Sequence, residues 1–209
     1  MLFFYPHSLQ CVHNDASTPY TSTQYNFSNK ADLTLSNNRI PTRIFLVGPM
    51  GAGKTTIGHK LAENLNKQFI DSDLEIEQKT GASIPLIFEL EGEDGFRKRE
   101  TQILEELTQQ NDIILATGGG AIISKKNRAL LKRTGFVIYL QAPLDQLLKR
   151  TAKDRNRPLL QTDNPRKVLA KLLEQREPFY KEVADLTFET NQKPLRDIIS
   201  DITQLLENL

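Results

Sequence analysis

The segment FLVGPMGAGKTTIG, residues 45–58, constrains this chain more than any other part of its sequence. Its centre fits the pattern G-x-x-x-x-G-K-[ST], with Gly48, Gly53, Lys54 and Thr55 in the fixed positions. An apolar run precedes it and a helical pattern follows it, which is the context that the motif requires. Backbone N–H groups of such a loop bind phosphates, the lysine reaches the β and γ phosphates, and the threonine can ligate Mg²⁺. The motif predicts a nucleotide site and leaves the reaction open; a glycine-rich turn with a surface lysine is the alternative that its flanks disfavour.

Short apolar segments alternate with longer amphipathic segments from residue 43 onward. The segment TQILEELTQQ places Ile103, Leu104 and Leu107 on one face, as a helix that covers a sheet does. Continuous apolar strands separated by helices indicate a parallel sheet with both faces covered, in which ligands bind beyond the carboxyl ends of the strands. The predicted strands are residues 43–47, 68–71, 113–116, 136–140 and 186–189.

The first forty residues differ in composition from the rest of the chain. They are rich in Ser, Thr and Asn and show neither helical nor strand periodicity, so we expect residues 1–40 to be a disordered extension before a domain of residues 41–209. No basic residue precedes the opening MLFF and its apolar run is short, so a signal peptide is not predicted. No stretch of about 18 apolar residues occurs, so no membrane partner is expected.

The charge and the cysteine content narrow the range of partners. The 27 basic and 26 acidic residues give a formal net charge of +1, so the chain as a whole does not attract nucleic acid and a small-molecule partner is expected. Cys11 is the only cysteine and cannot form an internal disulfide, and the Cys and His residues lack the spacing of zinc ligands. These features predict a cytoplasmic protein.

Two aspartates follow the second predicted strand, in FIDSDLEIE. We expect Asp71 and Asp73 to point from its carboxyl end toward the phosphates, on one side of the strand. One carboxylate can then hold a metal ion through its water shell, while the other orients or deprotonates an acceptor hydroxyl. The alternative is an aspartate pair that caps the helix beginning near Leu74. The neighbouring phosphate loop favours the first interpretation.

Three successive glycines follow the third predicted strand, in ILATGGGAI. The strand ends without the aspartate that many P-loop proteins carry there, which assigns the metal-binding task to Asp71. We expect Gly118, Gly119 and Gly120 to expose three consecutive N–H groups to a bound molecule. A structural turn is the alternative.

Three arginines lie on segments that could reach the open end of the sheet: Arg97, Arg157 and Arg176. Guanidinium groups bind carboxylates and phosphates in bidentate fashion, so the three together suit an anionic substrate and a transferring phosphoryl group. The basic run at residues 149–160 resembles a mobile lid over nucleotide phosphates. Taken singly, each arginine fits a solvated surface charge better than a binding role, so the interpretation depends on the three together.

These motifs, in their order and spacing, resemble those of shikimate kinases over about residues 40–209. The motifs that carry the resemblance are FLVGPMGAGKTTIG, DSDLEIEQKTG, EGEDGFRKRE, TGGG, RPLL and REPFY. The resemblance implies a P-loop NTPase three-layer α/β fold with a five-stranded parallel sheet flanked by helices, together with a lid and a substrate-binding helical region. It also implies a monomer that phosphorylates the 3-hydroxyl of shikimate with ATP and Mg²⁺, on the route to chorismate and the aromatic amino acids.

The resemblance assigns roles to individual residues. Asp73 would hold the shikimate hydroxyls and act on one of them, while Arg97 and Arg176 would bind the shikimate carboxylate. Gly119, with its neighbours Gly118 and Gly120, would contribute backbone groups to the substrate site. Thr55 would ligate Mg²⁺ and Asp71 would contact it through water. The implied ATP-binding residues are Gly51, Ala52, Gly53, Lys54, Thr55, Thr56, Arg150 and Arg157, and the implied catalytic residues are Lys54, Asp73 and Arg157.

Two further interpretations stay open at this point. A related small-molecule kinase for gluconate or a nucleoside monophosphate would share the phosphate loop and the lid. A nucleotide-dependent switch would lack a small acceptor; a guanine-nucleotide switch would need an N-K-x-D motif, which NQKP at residues 191–194 does not match.

Overall fold

The structure is a computed structural model that describes residues 40–152, 162, 164–191 and 193–209. A parallel sheet of five strands forms its centre, in the order β2-β3-β1-β4-β5. The five predicted strands are confirmed, with β4 one residue longer than expected. The strands are β1 Arg43–Val47, β2 Gln68–Asp71, β3 Ile113–Ala116, β4 Phe136–Gln141 and β5 Leu186–Glu189.

Seven α-helices connect and cover these strands within the described residues. Helix α3 contains a kink at Gly92, where the backbone has φ 70° and ψ −176°. A 3₁₀ turn, Ala121–Ile123, follows β3. The helices are α1 Lys54–Leu65, α2 Ser72–Thr80, α3 Ile84–Leu107, α4 Lys125–Thr134, α5 Leu144–Thr151, α6 Pro165–Val183 and α7 Leu195–Glu207.

Alternate side chains of the central strand enter two separate cores, one on each face of the sheet. Phe45 and Val47 pack into a core that includes residues of α3, α4 and α6. Ile44 and Leu46 pack into a second core that includes residues of α1, α5 and α7. The predicted buried face of α3 is confirmed, since its leucines and isoleucine between residues 103 and 107 are at most 6% exposed. The fold is therefore the expected three-layer α/β arrangement.

The strand order brings three loops to one edge of the sheet. After β1 the chain passes to β2 at one side, and after β3 it passes across β1 to β4 on the other side. The crevice between β1 and β3 is thus a switch point, where doubly wound sheets bind ligands. The register pairs Asp71 with Ala116 and Leu46 with Ala116, so β1, β2 and β3 end at nearly the same level.

Some expectations fall on residues that the structure does not describe. These are the extension of residues 1–40, of which only Ile40 is described, and most of the lid, including Arg157. Among the described helices, none has the length and the apolar character that crossing a membrane requires.

Candidate active site

A cavity of about 1020 Å³ opens at the carboxyl edge of the sheet. The phosphate loop and the start of α1 form one side of it, and Asp71, Asp73 and Gly119 also line it. Arg150 and Lys193 also line it. The structure thus brings together residues that the sequence predicted for the nucleotide and for its acceptor.

The phosphate loop wraps around the N-terminus of α1. Gly53 is the N-cap residue of this helix, so the first backbone N–H groups of the helix have no acceptor within it. The Lys54 ammonium folds back along the loop and donates hydrogen bonds to the carbonyl oxygens of Gly48 at 2.8 Å and Pro49 at 3.0 Å. The amides at this helix end, the positive end of the helix dipole and an ammonium group form a site for polyphosphate.

Asp71 connects the second strand to the phosphate loop. One of its carboxylate oxygens accepts a hydrogen bond from the Thr55 hydroxyl at 3.0 Å, and the other accepts one from the backbone N–H of Asp73 at 3.0 Å. Asp71 is thus the N-cap of α2, as the capping alternative proposed, and it also faces the site. Two hard oxygen donors at this spacing fit Mg²⁺, which takes few protein ligands and keeps several waters. No cluster of three or more His, Cys, Asp or Glu side chains that could hold a metal occurs in the described part of the chain.

Asp73 lies in the first turn of α2, which begins at Ser72. The expectation that both aspartates project from one side of a strand is therefore wrong for Asp73: the chain turns into a helix immediately after Asp71. The side chain nevertheless reaches the glycine loop, because a Cβ atom at Gly118 would lie 2.6 Å from Asp73 Oδ1.

Arg97 lies against the same glycine loop. A Cβ atom at Gly120 would lie 2.5 Å from Arg97 Nη2, so glycine is required for this approach. The guanidinium donates to Glu100 at 2.8 Å and to Glu93 at 3.0 Å, which holds it in place along α3. Its side chain is 19% exposed, so part of it stays accessible to a ligand.

Glu100 is a buried carboxylate at this site that the sequence reasoning did not select. Its side chain is 1% exposed, and its Oε1 has no hydrogen-bond partner among the described residues. Burial raises the pKa of Glu100 to about 7, and the nearby Arg97 guanidinium offsets only part of this effect. Its position three residues after Arg97 was the one available signal, because i and i+3 side chains are neighbours on a helix.

Glu100 leads to a prediction on pH and stability. The pKa of Glu100 is about 7 in the folded state and near 4.5 in the unfolded state. The contribution of protonated Glu100 to the free energy of unfolding is therefore complete below pH 4.5 and is lost as the pH rises through 7. We expect the free energy of unfolding of wild type, minus that of Glu100→Gln, to fall by up to about 1.4 kcal/mol per pH unit in this window. Urea unfolding of both proteins between pH 5 and pH 8 measures it. A difference that is constant or rises with pH would contradict the assignment.

The glycine loop after β3 is held from two sides. The N–H of Gly118 donates to Ser72 Oγ at 3.0 Å, so the expectation of three exposed amides is wrong for Gly118. The amides of Gly119 and Gly120 have no acceptor among the described residues. On the other side, the Gly119 carbonyl accepts hydrogen bonds from the Arg176 guanidinium at 3.3 Å and the Tyr180 hydroxyl at 2.5 Å.

Arg176 is mostly buried, with 8% of its surface exposed, and it belongs to α6. Arg97 and Arg176 thus approach neighbouring residues of one loop, although 79 positions separate them in the sequence. Two guanidinium groups beside free backbone amides form a site for a carboxylate.

Arg150 connects the phosphate loop to the loop after β5. Its guanidinium donates to the carbonyl oxygen of Gly51 at 3.1 Å and to the carbonyl oxygen of Thr190 at 3.1 Å. The Thr190 hydroxyl is buried and donates to the Ala52 carbonyl at 3.3 Å, so both residues hold the phosphate loop. Desolvation lowers the pKa of Arg150. Arg150 and Lys193 both line the cavity, as the assignment of Arg150 to the ATP-binding residues expects.

Four residues of the site were absent from the sequence predictions: Ser72, Glu100, Tyr180 and Thr190. Ser72 and Tyr180 bond to the glycine loop, and Thr190 bonds to the phosphate loop. Glu100 pairs with Arg97 on its own helix. Ser72, Glu100 and Tyr180 lie inside motifs that were quoted for the resemblance, and no local pattern distinguished Ser72 and Tyr180 from their neighbours.

Comparison with known proteins gives a consistent picture. The sequence profile of the shikimate kinase family matches residues 50–207. A shikimate kinase of Acinetobacter baumannii (strain AYE) is 58% identical over 163 residues, which are 78% of this chain and 91% of that protein. One of Vibrio parahaemolyticus is 54% identical over 164 residues, which are 78% of this chain and 95% of that protein.

Solved structures show the same similarity. The structure of shikimate kinase from Acinetobacter baumannii in complex with shikimate superposes with a TM-score of 0.78 at 56% identity, covering 80% of this chain and 93% of that chain. A gluconokinase from Sinorhizobium meliloti, with a TM-score of 0.52 at 20% identity over 81% of this chain and 96% of that chain, shares the fold alone.

Proposed function

The chain belongs to the shikimate kinase family. We propose that ATP phosphorylates shikimate at the cavity on the carboxyl edge of the sheet, and we assign the steps of that reaction to individual residues. The reaction converts ATP and shikimate to ADP and shikimate 3-phosphate, in the shikimate pathway to chorismate and the aromatic amino acids. One observation carries the assignment of residues: Asp73, Arg97 and Arg176 all meet the glycine loop after β3. A Cβ atom at Gly119 would lie 3.4 Å from the Gly48 carbonyl oxygen, so this loop directly adjoins the phosphate loop.

The donor half of the site binds the ATP phosphates. The amides of the phosphate loop and of the first turn of α1 surround the β and γ phosphates, and Lys54 leaves its two carbonyl acceptors to contact them. Arg150, which is hydrogen-bonded to the Gly51 carbonyl, contacts the nucleotide beside the phosphate loop. Arg157, outside the described residues, is assigned to the lid and to the negative charge of the transferring group.

Thr55 and Asp71 would hold Mg²⁺, Thr55 through its hydroxyl and Asp71 through water. When bound, the ion neutralises negative charge on the β and γ phosphates. The present hydrogen bond between the two side chains keeps their oxygens close together in advance.

We expect Thr55→Val to raise the Mg²⁺ concentration needed for half-maximal activity at fixed ATP by about tenfold. The substitution removes the hydroxyl oxygen that is assigned as a ligand of the ion. A Mg²⁺ titration in the coupled assay measures this. Thr203→Val is the matched control: its hydroxyl accepts a hydrogen bond from Asn64 between α1 and α7, away from the cavity. Thr203→Val should respond to Mg²⁺ as wild type does. The same wild-type response in Thr55→Val would show that the assignment of Thr55 is wrong.

The acceptor half of the site binds shikimate. Arg97 and Arg176 bind its carboxylate, together with free amides of Gly119 and Gly120. Asp73 accepts hydrogen bonds from ring hydroxyls and directs the 3-hydroxyl toward the γ-phosphate. Glu100 accepts a hydrogen bond from Arg97 and keeps its guanidinium in position.

The transfer itself requires positioning and charge stabilisation rather than covalent catalysis. The shikimate oxygen forms a bond to the γ-phosphorus while the bond from that phosphorus to the β–γ bridging oxygen breaks. The hydroxyl proton passes to Asp73, and ADP leaves with the electron pair of the broken bond. Lys54 and Arg157 stabilise the negative charge that develops on the leaving and transferring groups.

A panel of acceptors tests the proposed function. In a coupled assay of ADP release, we expect turnover with shikimate to exceed that with gluconate or AMP by at least about a hundredfold, since only a cyclic carboxylic acid with hydroxyls engages both arginines and Asp73. A preference for gluconate or AMP would favour a related kinase instead. ATP hydrolysis of equal rate without any acceptor would favour a nucleotide-binding switch.

Three further expectations concern the domain bounds, the oligomeric state and the cellular location. The catalytic unit is the domain of residues 41–209, it acts as a monomer, and it works in the cytoplasm. Light scattering during size-exclusion chromatography measures the mass against 23.8 kDa for one chain. Mass spectrometry of the protein purified from its natural source determines whether residues 1–40 are retained.

A further inference from the structure

Two buried tyrosines stack behind the glycine loop. Tyr139 belongs to β4 and Tyr180 to α6; their ring centroids are 5.0 Å apart and the ring planes differ by 17°. Both are at most 1% exposed. Their hydroxyls differ: that of Tyr180 donates to the Gly119 carbonyl oxygen at 2.5 Å, while that of Tyr139 has no hydrogen-bond partner among the described residues.

The bond from Tyr180 determines the orientation of a peptide group. The peptide that joins Gly119 to Gly120 is planar and trans, since the described residues contain no cis peptide bond, so its N–H points opposite to its C=O. With the Gly119 carbonyl held toward α6, the Gly120 N–H points away from α6. This amide has no acceptor among the described residues and is available to a ligand.

The same bond determines how Arg176 uses its donors. Arg176 reaches the Gly119 carbonyl at 3.3 Å, a longer contact than the 2.5 Å of the Tyr180 hydroxyl. A buried carbonyl needs one good donor, and Tyr180 supplies it. Arg176 shares this carbonyl through Nη1 only, so the other N–H groups of its guanidinium remain for an acceptor carboxylate.

We propose that Tyr180 is a positioning residue for the acceptor: it orients the Gly119–Gly120 peptide and leaves Arg176 to bind the carboxylate. The inference rests on the proposed function, since the carboxylate is that of shikimate. Tyr180 does not contact the reacting atoms, and its effect passes through Gly119, Gly120 and Arg176.

The state of the Tyr180 hydroxyl supports this role. Burial raises the pKa of Tyr180 above its usual range, and the nearby Arg176 and Arg97 guanidinium groups offset this only in part, while Glu100 adds to it. The hydroxyl therefore keeps its proton and remains a donor at every pH at which the enzyme works.

The matched variants Tyr180→Phe and Tyr139→Phe test the inference. Each removes one hydroxyl and keeps the ring and its stacking, so the fold is retained. We expect Tyr180→Phe to raise KM for shikimate about tenfold, the effect of one buried hydrogen bond, with KM for ATP within about twofold of wild type. Tyr139→Phe should leave both constants within about twofold, because its hydroxyl makes no such bond.

A readout independent of activity separates this inference from the proposed function. In ¹⁵N-labelled protein without substrate, we expect the amide resonances of Gly119 and Gly120 to shift in Tyr180→Phe and to stay in place in Tyr139→Phe. Equal KM values in Tyr180→Phe and wild type, or unmoved glycine resonances, would overturn the inference. A lower melting temperature with unchanged KM would also overturn it, since Tyr180 would then act on stability alone. Absence of shikimate-dependent turnover in wild type would refute the proposed function, while the resonances would still decide the orientation of the peptide.

Discussion

Asp73→Asn is expected to lower kcat by about a thousandfold or more while the dissociation constant for ATP stays within about twofold. The amide is close in size to the carboxylate but cannot accept the hydroxyl proton. We expect ATP binding to survive, because the phosphate loop keeps Lys54 and the amides at the start of α1. Steady-state kinetics and calorimetric titration with ATP measure the two quantities.

The control for this variant is Glu75→Gln, a change of the same chemistry in the same turn. Asp73 and Glu75 are both acidic residues in the first turn of α2, so both substitutions remove one negative charge near the helix N-terminus. We expect Glu75→Gln to retain kcat within about twofold. Near-normal turnover in Asp73→Asn would refute the acceptor role of Asp73, and an equal loss in both variants would attribute the effect to helix electrostatics instead.

Gly120→Ala is the second variant with a large expected effect, a fall of about 50- to 100-fold in kcat/KM for shikimate. The new Cβ atom would lie 2.5 Å from Arg97 Nη2 and 2.6 Å from Nη1, so the guanidinium must move. The backbone tolerates the change, because Gly120 has φ −101° and ψ −5°, which alanine adopts readily. A flexible arginine end can move with little loss of stability, so the loss is that of a charge-assisted hydrogen bond pair, about 2–3 kcal/mol.

A double-mutant cycle determines whether Arg97 is the cause. In the Arg97→Ala background, the additional Gly120→Ala change should have little further effect on kcat/KM, since the displaced group is already absent. KM for ATP should stay near the wild-type value in all three variants. Additive losses in the double variant would indicate that the new methyl group obstructs the acceptor itself and that the displacement of Arg97 is unimportant.

The fold was predictable because its signals are local. Each strand is a short apolar run next to Gly, Pro or Asp, and the phosphate loop needs only the order of residues within one strand–loop–helix unit. Leu46 and Phe45 illustrate this, since neither needs a distant partner to be recognised as part of a buried strand. The strand bounds agree with the structure to within one residue.

The rest of the site depends on packing between distant segments. Glu100 is notable for its burial, and that burial comes from the approach of α3 to the glycine loop, which no local pattern records. Tyr180 and Ser72 each bond to a backbone group of that same loop, 61 and 46 positions away. Asp73 lines the cavity with a local geometry other than the expected one, because a two-residue spacing fits an extended strand as well as the first turn of a helix.

The central claim is that the phosphoryl group of ATP passes to shikimate at this cavity. Phosphorus NMR of the purified chain with ATP, Mg²⁺ and shikimate tests it most directly, because it identifies the molecule that receives the phosphoryl group. We expect one new phosphomonoester signal, that of shikimate 3-phosphate, to grow in equal amount with ADP and only when shikimate is present. Inorganic phosphate in place of the monoester, or ADP formed at the same rate without shikimate, would contradict the account.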